Sequence, residues 1–288
     1  MQNTGHSNRV LIMGSGNVGL ATGQMLLRKN FRVWFKDNNQ KSVNNLIAKK
    51  LNVYENGFES CLFGYIFICV PTPTIKNEMS TEYLMDALSV VSKIVNQGGN
   101  GPVIVVRSTI LPGTMDKTVI PFFKRNVSHK NYGICYYPAF MRERRGLRDE
   151  LKPWVSVIAC DSKSTKARMS SILRGSGGIC FVVKFREAEL IKYGSNLFNA
   201  LKISYFNQIF LYARTMNING KKVAMAIAKA AEGNWNPDYG IKPGYPFDGK
   251  CLPKDLLAFI TFLDKTKIGD SSLLKSILKI NHSVQLAF

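Results

Sequence analysis

Acidic residues and histidine are scarce in this sequence, and long apolar runs are missing. Its 288 residues hold 19 Asp and Glu against 39 Lys and Arg, with three histidines and a formal net charge of +20. The shortage of acid favours anionic partners, such as a dinucleotide, a nucleotide-linked substrate, nucleic acid or an acidic surface. The cations are scattered, and the densest group, Arg142, Arg144, Arg145 and Arg148, comes with no nucleic-acid-binding motif. Nucleic acid is therefore not the expected partner. The six cysteines, Cys61, Cys69, Cys135, Cys160, Cys180 and Cys251, are widely spaced with no Cys-x-x-Cys pair, and the histidines are His6, His129 and His282. No metal site is expected from such a set. All the cysteines but Cys251 read most simply as small buried hydrophobes. No apolar run reaches the roughly 18 residues that cross a bilayer. The stretch Met1–Asn8 is polar and lacks the apolar core of a signal peptide. A cytoplasmic protein without a membrane partner is the expectation. Internal repeats and low-complexity tracts are also missing.

What is present is a strong alternation. Arg9–Met13, Phe31–Phe35, Tyr65–Val70, Val103–Arg107, Tyr132–Tyr136, Trp154–Ala159 and Ile179–Val183 are short apolar runs, separated by stretches of helical character in the first half. Strands alternating with helices predict an α/β fold, a Rossmann-like, doubly wound, mostly parallel sheet with helices on both faces. The second half changes character. From Arg186 to Asn217 there is no proline and one glycine, with apolar residues at helical spacing. That pattern predicts one long helix of roughly 45 Å at about 1.5 Å per residue. A second helix follows over Lys222–Ala231, then a Gly/Pro-rich loop over Asn234–Pro253, then helix to the end. The length suits two domains. They read as residues 1–185, a dinucleotide-binding domain, and 186–288, a helical domain carrying the loop with Cys251.

Gly14-Ser15-Gly16-Asn17-Val18-Gly19 has the form G-x-G-x-x-G and falls after a strand and at the start of a helix, where the motif has physical meaning. Gly14 permits the tight turn, Gly16 lets the backbone approach a pyrophosphate, and Gly19 lets helix and strand pack closely. The helix start at Asn17 and Val18 offers free N–H groups and a partial positive charge to phosphates. Asp37, just after the second strand, is the carboxylate expected to accept hydrogen bonds from a ribose hydroxyl, which favours NAD over NADP.

Gly249-Lys250-Cys251-Leu252-Pro253-Lys254-Asp255 is the most informative stretch. Here the chain resembles the UDP-glucose/GDP-mannose dehydrogenase family. Four further segments carry the resemblance in the family's order: Val70-Pro71-Thr72-Pro73, Arg107-Ser108-Thr109-Ile110-Leu111-Pro112-Gly113-Thr114, Tyr137-Pro138-Ala139-Phe140-Met141-Arg142-Glu143, and Glu189-Leu190-Ile191-Lys192-Tyr193-Gly194-Ser195-Asn196. The resemblance implies NAD-dependent oxidation of a nucleotide sugar's primary alcohol to the carboxylate. It implies that Cys251 attacks the intermediate aldehyde to form a thiohemiacetal and then a thioester, chemistry suited to a thiolate. Lys192, Lys254 and the start of a helix beyond the loop would favour that thiolate. Lys192 and Asn196, four residues apart and so on one helical face, are implied to stabilise oxyanions. Asp255 is implied to orient a water or the lysine, Glu143 to serve thioester hydrolysis and Thr109 to hold a water. Val70, Pro71, Thr72, Ser108, Thr109 and Lys254 are the implied cofactor-contacting positions besides the glycine turn.

The sequence departs from the family's pattern in three ways. It runs only to Phe288 and reads as a short form without the family's C-terminal nucleotide-holding domain. Ala139 stands where the family has a glutamate, and Asp238 where it has an arginine. Asp248 also replaces a glycine of the run before the cysteine. These changes leave two alternatives open: a dehydrogenase of a non-nucleotide alcohol, or a degenerate binding protein. Finally, Leu190, Leu197, Leu201 and Tyr205 on the long helix suggest packing against a partner, and the resemblance implies a homodimer through this helix.

Overall fold

The computed structural model describes residues 8–55, 63–97, 101–142, 145–230, 244–267 and 271–287. Its chain divides into two compact units. The first comprises Met1–Thr72 and Ser80–Lys192, the second Pro73–Met79 and Tyr193–Phe288.

The first unit is built on strands whose apolar runs are unbroken because helices cover both faces of the sheet. β1 (Arg9–Met13), β4 (Tyr65–Ile68), β7 (Val103–Val106) and β8 (Gly133–Tyr136) are buried along nearly their whole length. With β2 (Arg32–Lys36), β3 (Asn52–Val53), β9 (Val155–Cys160) and β10 (Ile179–Val182) they form an eight-stranded sheet in the order β10-β9-β8-β7-β4-β1-β2-β3. From β3 to β8 every pairing is parallel, and β9 turns antiparallel against β8. The chain order therefore reverses between β1 and β4. Ligands of open α/β sheets bind at such a switch point, outside the carboxyl ends of the strands. The helices are α1 (Asn17–Arg28), α2 (Gln40–Ala48), α3 (Glu82–Asn96), α4 (Ile120–Asn126), α5 (Gly146–Leu151) and α6 (Lys163–Leu173). Val10, Ile12, Val33, Phe35, Phe67, Val105 and Ile158 meet Met25 and Leu26 of α1 and Met169 and Ile172 of α6 in one core. The C-terminal end of α6 is tied to α1 by Lys29, whose Nζ donates to Ile172 O at 2.6 Å, Arg174 O at 3.0 Å and Ser176 Oγ at 2.7 Å.

The second unit holds a short hairpin, β5 (Thr74–Ile75) and β6 (Glu78–Met79), with the main part of α7 (Phe185–Thr215) and with α8 (Gly220–Ala230), α9 (Leu252–Thr266) and α10 (Ser272–Ala287). Its core joins Ala200 of α7, Phe247, Leu252, Leu256 and Ile260 of α9, and Ile277 of α10. Tyr193 stacks on Phe259 with ring centres 5.4 Å apart. The hairpin belongs to this unit through Thr74, whose Oγ1 donates to Lys254 O at 3.0 Å. No helix among the described residues is long and apolar enough to cross a membrane.

Two expectations about exposure are corrected. Cys180 is exposed, as are all four residues of β10, the strand at the edge of the sheet. Leu197 packs against the second unit's own core, whereas Leu190, Leu201 and Tyr205 are exposed. Cys61, Glu143 and Asp238 lie outside the described residues.

Candidate active site

The first unit gathers one group of the anticipated residues at the carboxyl ends of β1, β4 and β7. After β1 the backbone turns through Gly14 at φ +91°, a left-handed conformation, so close to β4 that a Cβ there would lie 2.8 Å from Cys69 O. A Cβ at Gly19 would stand 1.9 Å from Gly14 O, which is why α1 can follow the turn so tightly only with glycine in its first turn. A Cβ at Gly16 would meet nothing within 4 Å. The backbone is thus bare on the side where the N-terminus of α1 presents the amides of Asn17, Val18 and Gly19. A helix start without upstream carbonyl partners is an anion site, and this cradle fits the pyrophosphate of a dinucleotide. Gly19→Ala forces that contact apart. It should cost about 1–3 kcal/mol of stability and weaken NAD binding more than tenfold, as measured by thermal melting and by titration calorimetry.

Asp37 closes the cradle. Its Oδ2 accepts from Ser15 N and Ser15 Oγ, both at 2.7 Å, and its Oδ1 accepts from Asn39 N at 2.9 Å. The loops after β4 and β7 are pinned to each other, since Ser108 Oγ donates to Val70 O at 2.6 Å and Thr72 Oγ1 to Thr109 O at 2.6 Å. The positions Val70, Pro71, Thr72, Ser108 and Thr109 therefore lie side by side at this edge of the sheet.

Two charged features of this unit escaped sequence reasoning. Arg107, at the end of β7, is buried and bonds bidentately to buried Glu150 of α5, at 2.5 and 3.0 Å, with the Tyr137 ring 4.2 Å from its guanidinium carbon. Burial alone would lower its pKa, but the Glu150 carboxylate outweighs that and raises it. Glu189, fully buried near the start of α7, accepts from Gly113 N at 2.6 Å and Met115 N at 2.7 Å. Those amides open the single π-turn Met115–Val119 that leads into α4. Burial pushes the Glu189 carboxyl from 4.5 up to about 7, against the two amide bonds that favour its charged form. A carboxyl raised on folding adds stability that is complete below 4.5 and is lost as pH rises through about 7. Wild type should therefore lose stability relative to Glu189→Gln between those limits, checked by urea melts of both at pH 5 and pH 8. Lys192, three residues on, is buried with its Nζ 5.4 Å from the centre of the Phe140 ring.

The second unit gathers the other group. Cys251 is exposed at the N-cap of α9, and its carbonyl accepts the first helical bond, from Asp255 N at 2.8 Å. Leu252 and Pro253 start the helix, proline being suited to a first-turn position that lacks an N–H partner. Asp255 comes one turn later and is buried, with one carboxylate oxygen accepting from Asn196 Nδ2 of α7 and the other from Lys254 Nζ. Asn196 is itself buried, so Asn196 and Lys192 do not form a solvated helix face. The arrangement places a thiol at the positive end of a helix, beside a carboxylate that fixes an amide donor and a cation. Of the departures from the family's pattern, Ala139 is buried and Asp248 exposed.

Family models agree with both halves. Residues 8–65 and 63–175 match the NAD binding domain of the UDP-glucose/GDP-mannose dehydrogenase family, and residues 186–283 match its central domain. The chain belongs to this family. Its first unit is accordingly an NAD-binding domain. Among its relatives, the GDP-mannose 6-dehydrogenase of Pseudomonas syringae pv. tomato is 30% identical over 226 residues, covering 77% of this chain and 51% of that protein. The UDP-glucose 6-dehydrogenase of Rickettsia prowazekii is 28% identical over 297 residues, covering 94% of this chain and 66% of that one. The chain thus spans about half to two thirds of the length of these relatives. Among solved structures, a UDP-glucose dehydrogenase from the hyperthermophilic archaeon Pyrobaculum islandicum superposes with a TM-score of 0.87 at 25% identity, covering 98% of this chain and 70% of that one.

Proposed function

We propose that this protein oxidises the primary alcohol of a nucleotide-linked sugar to the carboxylate, with Cys251 as covalent catalyst. The observation that supports this most is the Asp255 carboxylate, held between Asn196 and Lys254 one helical turn from an exposed cysteine at the N-terminus of α9. NAD, when bound, would supply the hydride acceptor, one molecule for each of the two oxidations. The residues to hold it are Gly14, Gly16 and Gly19 with the amides of Asn17 and Val18, and Asp37, Val70, Pro71, Thr72, Ser108 and Thr109.

The remaining work falls to the chain's own groups. The Cys251 sulfur, where the helix end favours negative charge, attacks the aldehyde carbon left by the first oxidation. The carbonyl electrons move to oxygen, and Lys192 and Asn196 donate to that oxyanion. Loss of the second hydride leaves a thioester on Cys251. Water then releases the acid and restores the thiol, with Glu143 and Thr109 proposed to hold and activate that water. Asp255 acts on Asn196 and Lys254 rather than on substrate, so it is a positioning residue.

The test is NADH formation with a panel of UDP-, GDP-, TDP- and ADP-linked sugars. Two NADH per sugar consumed, with a uronic acid as product, is the expected result. Turnover of a non-nucleotide alcohol alone, or NAD binding without any NADH, would overturn the proposal in favour of another substrate or a binding role.

We propose further that two copies pair through α7. Leu190, Phe198, Leu201 and Tyr205 are exposed and recur at helical spacing on one face. Sedimentation at micromolar concentration should give the mass of a dimer, and a monomer there would refute the pairing.

A further inference from the structure

Where β8 and β9 run antiparallel, Cys135 and Cys160 are directly opposite each other. Asp161 N donates to Ile134 O at 3.0 Å, which makes Cys135–Cys160 a non-hydrogen-bonded pair of the ladder. Such pairs bring their Cα atoms to about 4.5 Å, inside the roughly 4.4–6.8 Å that a disulfide spans. The two sulfurs are already 3.5 Å apart. Closing that gap takes rotation of the side chains and no movement of the strands. Cys180, on the other side of β9, is in register with Ser156 and not with Cys160, so the ladder selects one pair.

We propose that Cys135 and Cys160 form a dithiol modification site of the first unit, which a peroxide or a small disulfide oxidant converts reversibly to a cross-strand disulfide. Cys160 is half-buried and Cys135 fully buried, so the oxidant meets Cys160 first. The two thiols also differ in readiness. The hydrogen bond it shares with Cys135 holds Cys160 below its ordinary pKa, while burial pushes Cys135 up. Cys160 is thus the attacking thiolate and Cys135 the resolving thiol. With hydrogen peroxide, the Cys160 sulfur displaces hydroxide from the peroxide O–O bond and becomes a sulfenic acid. The Cys135 sulfur then attacks that sulfur, the S–O bond breaks, and the S–S bond forms. The thiol hydrogens leave with the oxygens, so one peroxide and two thiols give one disulfide and two waters. With glutathione disulfide, the same two attacks release two glutathione molecules.

The experiment uses the full chain, exposed to hydrogen peroxide or to glutathione disulfide and mapped by mass spectrometry without reduction. The expected result is a loss of two hydrogens, a peptide pair joined through Cys135 and Cys160, and full reversal by dithiothreitol. Cys180→Ser should leave the bridge intact, and Cys160→Ser should abolish it. Because the wild-type map is decisive alone, a folding defect in Cys160→Ser leaves the test standing. Cys160 found as sulfinic acid, as a glutathione adduct that never resolves, or joined to another cysteine while Cys135 stays free would overturn the proposal.

Discussion

Replacing Cys251 by alanine lowers NADH formation by about a thousandfold or more, the scale on which loss of a covalent nucleophile acts, while NAD binding is unchanged. The two halves of this expectation have separate physical origins. The thiol is exposed and lies outside the second unit's hydrophobic core, so its removal opens no cavity there. The dinucleotide cradle belongs to the first unit, where Gly14–Gly19 and Asp37 are fixed by bonds that do not involve residue 251. Stability and cofactor affinity should both hold, so lost turnover reports lost chemistry. The check is initial rate by absorbance at saturating sugar, beside calorimetric titration with NAD. Retention of two NADH per sugar in Cys251→Ala would remove the cysteine from the mechanism. Equal loss of NAD binding would point to misfolding.

The largest stability effect is expected at Arg107 and Glu150. Arg107→Met leaves the Glu150 carboxylate buried without its partner, and breaking a buried pair in this way costs about 3–5 kcal/mol. That is a large part of the roughly 5–15 kcal/mol by which a domain is stable. The double substitution Arg107→Met with Glu150→Leu should recover most of the loss, since it removes both buried charges and keeps an apolar filling. Urea denaturation of the three proteins checks this. A single variant as stable as wild type would mean that water reaches Glu150. The effect on NAD is expected to follow, because Arg107 directly precedes Ser108 and Thr109, whose loop is pinned to the one after β4.

What the sequence determined about this protein is what neighbours along the chain decide. The turn from β1 into α1 is legible because Gly14 must take positive φ and Gly19 must admit the Gly14 carbonyl, sterics confined to six positions of one motif. The buried strands are legible because cover on both faces demands unbroken apolar runs, and the long α7 because its apolar residues recur without a breaker. The family likewise showed in short ordered segments, each local. Tertiary structure decided what depends on pairs far apart. Arg107 meets Glu150 across 43 positions, and Asn196 meets Asp255 across 59. The hairpin at 73–79 packs with helices more than a hundred residues later. The antiparallel β9, which sets Cys135 against Cys160, follows from how the chain returns to the sheet edge. A lone carboxylate, arginine or cysteine reads the same in sequence whether solvated or buried. Only the partner that the fold brings to it settles which, since burying a charge is tolerable only when a complementary group arrives with it.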